Sequence, residues 1–236
     1  KADGILSENE QVKGEEFEPT ERIKVYILEV KDTPKGPRIL LSRTHPGLVK
    51  RLFESEVAEV KDGTVEIKSI AREAGSRTKI AVWSNDPDVD PVGACVGMNG
   101  ARVNSIVEEL RGEKIDIINW DENPAILIEN ALSPAKVIAV MADPDEKTAL
   151  VVVPDYQLSL AIGKEGQNAR LAARLTGFKI DIKSETQARE SGELYDYDDE
   201  DEYYDEEEYS EEGAVESEET ETEETEEVSE ETTVEE

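Results

Sequence analysis

The amino-acid sequence predicts an α+β chain built on two tandem copies of one small module, each a three-stranded sheet with helices on one face. Three observations carry that expectation. A glycine-punctuated stretch occurs twice, its first glycines, Gly97 and Gly163, lying 66 residues apart. Around each copy, helical spacing of apolar residues alternates with strand-like alternation in the same order. Finally, the charge is divided so that only the first 190 residues can bury a core.

The 236 residues hold 26 Lys+Arg and 58 Asp+Glu, a formal net charge of −32. Residues 191–236 hold 25 of the acids and no Lys or Arg, leaving 33 acids and 26 bases before them. That dense like charge, with little apolar area to offset the ordering entropy, predicts a disordered tail. It reads either as a solubiliser or as an internal polyanion competing with nucleic acid for a neighbouring basic surface.

Residues 92–118 and 158–182 are the repeat. Each has an apolar residue, Gly-x-x-Gly, an amphipathic stretch, a glycine and the strand Lys-Ile-Asp-Ile, at Lys114 and Lys179. The upstream halves correspond as well. Leu48, Val49, Leu52, Phe53 and Val57 are spaced as one helix face, and strands follow over 64–71 and 79–83. In the second copy the helix is expected over 125–132, with strands over 136–141 and 148–153. The order is therefore helix, strand, strand, helix, Gly-x-x-Gly, helix, strand.

Glycines between two helices allow positive φ and let a ligand backbone approach closely. The start of the second helix presents free N–H groups and partial positive charge, which favour phosphate. This arrangement resembles the KH module, whose Gly-x-x-Gly loop clamps about four nucleotides of single-stranded backbone. The element order is similar to the bacterial, type II version. The candidate RNA-binding residues are Gly97, Met98, Asn99, Gly100 and Arg102 in the first loop, and Gly163, Lys164, Gly166, Gln167, Asn168 and Arg170 in the second. Both loops depart from the usual chemistry: Met98-Asn99 carries no base, and Glu165 beside Lys164 faces phosphate unfavourably. Over residues 160–189, six bases against three acids give a net +3 patch.

Upstream, Arg22–Val30 alternates and is followed by the turn Asp32-Thr-Pro-Lys-Gly-Pro and a short strand from Arg38 to Arg43. Two strands cannot stand alone. They resemble the closing hairpin of an S1-type OB barrel. His45 reads as a linker residue before Pro46, while Cys95, Trp83 and Trp120 read as packing residues.

The stretches Leu41-Ser-Arg-Thr-His-Pro, Gly75-Ser-Arg-Thr-Lys-Ile-Ala-Val, Asp90-Pro-Val-Gly-Ala-Cys-Val-Gly, Asn130-Ala-Leu-Ser-Pro-Ala and Leu160-Ala-Ile-Gly-Lys-Glu-Gly-Gln-Asn-Ala-Arg-Leu-Ala together resemble the bacterial NusA family of transcription factors. That resemblance implies a partial S1/OB barrel over 1–44, a first KH domain over 45–121, a second over 122–187 and the disordered acidic tail over 188–236. The absent initiator Met fits a fragment lacking the family's polymerase-docking domain. It implies a cytoplasmic monomer that holds nascent single-stranded RNA and modulates pausing, termination and antitermination. Its partners would be RNA polymerase and other elongation factors. The alternative is the KH/S1 accessory region of an RNA-processing enzyme, although there the KH precedes the S1.

Other classes are disfavoured by composition. One Cys and one His leave no disulfide framework, no usual zinc site and no Cys/His or Ser/His nucleophile. No Gly-x-x-x-x-Gly-Lys-Ser/Thr is present. No catalytic residue, metal or cofactor is therefore expected, and no apolar run reaches the 18 or so residues of a membrane span.

Overall fold

A computed structural model of the protein describes residues 3–34 and 36–193. Among the described residues three sheets of three strands each follow one another along the chain. The second and third belong to the two repeats and share one topology.

The N-terminal sheet comprises β1 (Gly4–Leu6), β2 (Tyr26–Thr33) and β3 (Gly36–Ser42). The expected hairpin is β2–β3, and β1 joins it in parallel against β3, so the segment has three strands rather than two. β2 starts at Tyr26, later than its alternation suggests. The Lys24 N–H is occupied by the Glu109 carboxylate (3.1 Å) and its carbonyl by Arg43 (2.8 Å), so neither joins a ladder.

The first module opens with α1 (Pro46–Glu56) and α2 (Ala58–Lys61). Here His45 is more than a linker. Its Nδ1 accepts the Gly47 N–H at 2.9 Å, satisfying one of the free donors at the start of α1, and its ring stacks on Tyr26 at 4.6 Å. β4 (Val65–Glu73) and β5 (Arg77–Ser84) pair antiparallel, and β6 (Lys114–Asn119) adds in parallel to β5. Between β5 and β6 run α3 (Pro91–Val96) and α4 (Ala101–Glu109). Leu48, Val49, Leu52 and Phe53 of α1, Cys95 of α3 and Ile106 of α4 bury against Val65, Ile80 and Val82 on one sheet face.

The second module repeats this with α5 (Pro124–Ala131), β7 (Ala139–Asp143), β8 (Thr148–Val153), α6 (Leu158–Ile162), α7 (Gln167–Thr176) and β9 (Lys179–Ser184). β7 begins three residues beyond its expected start because the Lys136 N–H turns to the Gln157 side chain (3.3 Å). A further helix, α8 (Glu185–Glu190), is closed by a capping box between Ser184 and Gln187. Order thus passes the expected tail boundary at 188. The acidic run from residue 194, expected to be disordered, lies outside the described residues.

The two modules share a core. Ala71, Ala81 and Ile118 on the opposite face of the first sheet join Leu127, Ile128, Leu171, Ala172 and Leu175 of the second module in one buried cluster. Because small residues on β4 and β5 leave room for α7 to lie directly on the sheet, the second module covers the face that the first module's own helices leave bare. Trp120 packs as expected, meeting Trp83 edge-to-face at 5.7 Å, while Trp83 stays 41% exposed. Cys95 is fully buried, and desolvation pushes its thiol up to about 12.

Candidate nucleic-acid interface

Both loops join a helix to a helix through the same backbone path. Gly97 (φ 73°, ψ 172°), Asn99 (φ 52°, ψ 27°) and Gly100 (φ 75°, ψ 13°) are matched by Gly163 (77°, 172°), Glu165 (53°, 25°) and Gly166 (74°, 16°). The first glycine of each loop is needed twice over, for its positive φ and for space. A Cβ on Gly97 would meet Arg102 Cγ at 2.7 Å, and one on Gly163 would meet the Asn168 backbone nitrogen at 2.9 Å. Gly166 needs only the conformation, since a Cβ there finds nothing nearer than 3.9 Å, whereas one on Gly100 would meet the Asn104 amide nitrogen at 3.1 Å.

No side chain caps the start of α4 or α7. Each loop therefore presents uncapped N–H groups at a helix N-terminus, with bare glycine backbone beside them, as an anionic strand requires. The residues between the glycines point outward: Met98 is 85% exposed, and Asn99, Lys164 and Glu165 are exposed. The helix before each loop lies against the last strand of its module, α3 on β6 and α6 on β9. Leu160 and Ile162 on α6, and Tyr156 just before it, add exposed apolar surface suited to bases. At the N-terminal end of α3 an open cleft of about 700 Å³ separates the modules, lined by Asp90, Val92, Asn119, Asn130, Ser133 and Lys136 among others.

In loop register Arg102 matches Asn168, and Asn104 matches Arg170. Arg102 and Asn168 both tuck beneath the first glycine and bind a carbonyl of the preceding helix. Arg102 donates to Ala94 (2.7 Å) and to Glu59 (2.9 Å), and Asn168 donates to Ala161 (3.1 Å) and to Leu132 (3.0 Å). Asn168, expected among the RNA contacts, is only 6% exposed and holds its loop from beneath. The reason is steric: with no Cβ at 163 the Asn168 backbone and Cβ close up against the loop, and the amide turns in to the Leu132 and Ala161 carbonyls. Arg170 stays exposed beside Gly166 but is already paired with Glu73, which also accepts from Gln167. The +3 patch is further reduced by the Lys183–Glu193 ion pair, while Arg189–Glu185 joins two charges already counted within it. Glu59 and Glu73 went unnoticed in the sequence because each sits in another element, 43 and 97 residues from the arginine it binds.

Family comparison agrees with this geometry. The NusA-like first KH domain matches residues 43–120 and the NusA-like second KH domain matches residues 124–190, together more than half of the chain. The chain belongs to the NusA family. A transcription termination/antitermination protein NusA from Bacillus subtilis is 64% identical over 192 residues, covering 81% of this chain and 52% of its own length. Relatives of the same name from Mycobacterium tuberculosis and Thermus thermophilus are 55% and 48% identical, over 78% and 76% of this chain and 53% and 46% of their own. The chain thus spans about half the length of the curated NusA relatives it matches, whose names describe a transcription factor rather than an enzyme.

Proposed function

We propose that the two NusA-type loops hold one unpaired RNA strand, each by its sugar–phosphate backbone, with bases lying along the flanking helices. In the setting of transcription the strand is the nascent transcript, and holding it modulates pausing, termination and antitermination alongside RNA polymerase in the cytoplasm. The chain acts without catalysis, as a monomer.

One observation carries the reading: two backbone paths that agree within a few degrees, on modules joined through one buried cluster. Two weak sites held at a set separation engage one strand with a high effective concentration for the second contact. The geometry of each loop suits phosphate, and the side chains between the glycines are free to meet a ligand.

The test is titration of a short single-stranded oligoribonucleotide, followed by anisotropy from about 50 to 300 mM salt. Replacing Lys164 and Gly166 together should weaken binding and flatten the salt dependence by about 0.7 in logarithmic slope, the release expected for one phosphate on a single strand. Unchanged affinity and slope would remove the second loop from the binding surface.

A further inference from the structure

Glu73 ends β4 in the first module, yet its carboxylate lies on the second module's loop. Arg170 Nε donates to Oε1 at 2.5 Å and Arg170 Nη2 to Oε2 at 3.2 Å, a two-point fork. Gln167 Nε2 donates to the same Oε2 at 2.9 Å and to Ser76 Oγ at 2.7 Å, so the β4–β5 turn grips the first turn of α7. Arg174 lies 3.8 Å from Oε1. The third nitrogen of Arg170, Nη1, donates to the Glu165 carbonyl at 3.1 Å, which holds the guanidinium against the loop itself.

The first loop is built otherwise. Its arginine, Arg102, takes its carboxylate from Glu59 of its own module. The second loop is completed by a residue from its neighbour.

We propose that Glu73 is an affinity-setting residue of the second RNA clamp, an anion already seated on the Arg170 and Gln167 groups that a backbone phosphate would take. Carboxylate and phosphate engage a guanidinium through the same planar two-point contact, and two anions on one fork repel. An RNA phosphate arriving at the N-terminus of α7 therefore exchanges with Glu73 for Arg170. The second clamp binds more weakly than its bases alone would give, and its occupancy is coupled to the contact that fixes the modules together. This inference rests on the RNA-binding reading above and adds a residue to it.

The experiment compares wild type, Glu73→Gln, Glu73→Gln/Arg170→Gln and Lys164→Ala with the same oligoribonucleotide across salt. Glu73→Gln keeps the size and removes the charge, leaving one accepting oxygen where the carboxylate has two. It should tighten binding about fivefold at low salt and steepen the salt slope by about 0.7 as Arg170 becomes free for a phosphate. The double variant should lose that gain. Unchanged or weaker binding in Glu73→Gln, or a gain that survives loss of Arg170, overturns the proposal. Lys164→Ala separates the two levels: if it leaves binding intact the clamp reading itself fails, whereas if it weakens binding and Glu73→Gln does not tighten it, only Glu73 is wrongly placed. Wild type offers a check that needs no variant. The Arg170 Nε–H resonance should shift on RNA addition as its partner changes, and a resonance unmoved at saturating RNA sinks the exchange.

Discussion

Lys79, on the central strand of the first module, donates from Nζ to the Ser133 carbonyl of the second at 2.8 Å, with its side chain wholly out of solvent. Asp116 lies 3.2 Å from the same ammonium and is itself held by Arg77 in a two-point pair at 2.7 and 2.9 Å. Burial depresses the Lys79 pKa, and the Asp116 charge works against that depression. A charge placed here is costly unless every one of its donors is used, so the contact favours one docking arrangement over near alternatives.

Lys79→Met removes the ammonium while filling the same channel. It leaves the Ser133 carbonyl without its donor and Asp116 with one cation in place of two. The expected cost is about 2 kcal/mol in urea unfolding, the penalty of an unpaired buried acceptor plus a weakened ion pair. Hydrogen exchange should quicken at the C-terminal end of α5, just before the Ser133 that the contact holds. An unchanged urea midpoint would show that the apolar cluster around Ala71, Ala81 and Leu171 alone sets the docking.

How much of this was legible in the sequence follows from the range of each interaction. The module order and the shared Lys-Ile-Asp-Ile strand come from periodicity and repetition, which are local and survive without knowledge of contacts. The docking does not. Ala71 and Ala81 read as weak strand residues, and only the structure shows that their small size seats α7. Lys79, Glu73, Arg43 and Glu113 look like ordinary surface charges, yet Lys79, Arg43 and Glu113 are buried to within 1%. Each is paired with a residue far along the chain, a fact that composition and spacing do not encode. At the site, the glycines and exposed Lys164 were readable from the motif, while the inward turn of Asn168 needed the space beneath Gly163. The third strand, β1, was missed because Gly4–Leu6 is too short to show alternation.

Glu113 offers a pH test. Its carboxylate, 1% exposed, accepts from Arg72 at 2.8 and 2.9 Å, from Thr78 Oγ1 at 2.6 Å and from the Gly75 N–H at 2.8 Å. Burial works to raise its pKa, but the Arg72 fork with Thr78 and Gly75 outweighs it and holds the group below its ordinary value of 4.5. A depressed carboxylate binds fewer protons folded than unfolded, so its contribution is complete above the unfolded value and drains away as pH falls through the folded one. Glu113→Gln should cost about 3 kcal/mol at neutral pH, because Arg72 is left buried without a counter-charge. The difference from wild type should shrink steadily below about pH 4.5. A gap independent of pH would mean that the carboxylate's charge contributes nothing.

The two glycines of the second loop separate conformation from space. Gly163 combines φ 77° with ψ 172°, a region nearly closed to other residues, and its Cβ would lie 2.8 Å from Asn168 Cβ and 2.9 Å from Asn168 N. Neither neighbour can give way, since one is backbone and the other is the carbon fixing the Asn168 side chain in its buried bonds to Leu132 and Ala161. Gly163→Ala should therefore cost about 3 kcal/mol in urea unfolding. Gly166, at φ 74° and ψ 16°, lies in the left-handed region with open space around it, so Gly166→Ala should cost about 1 kcal/mol. Gly97→Ala should fall between them, because its obstacle is the Arg102 side chain at 2.7 Å, which can swing away from Ala94 and Glu59. Equal losses at 163 and 166 would show that positive φ alone demands these glycines. A larger loss at 163 makes the first glycine the place where the helix behind it closes up, while Gly166 answers only for its backbone angles.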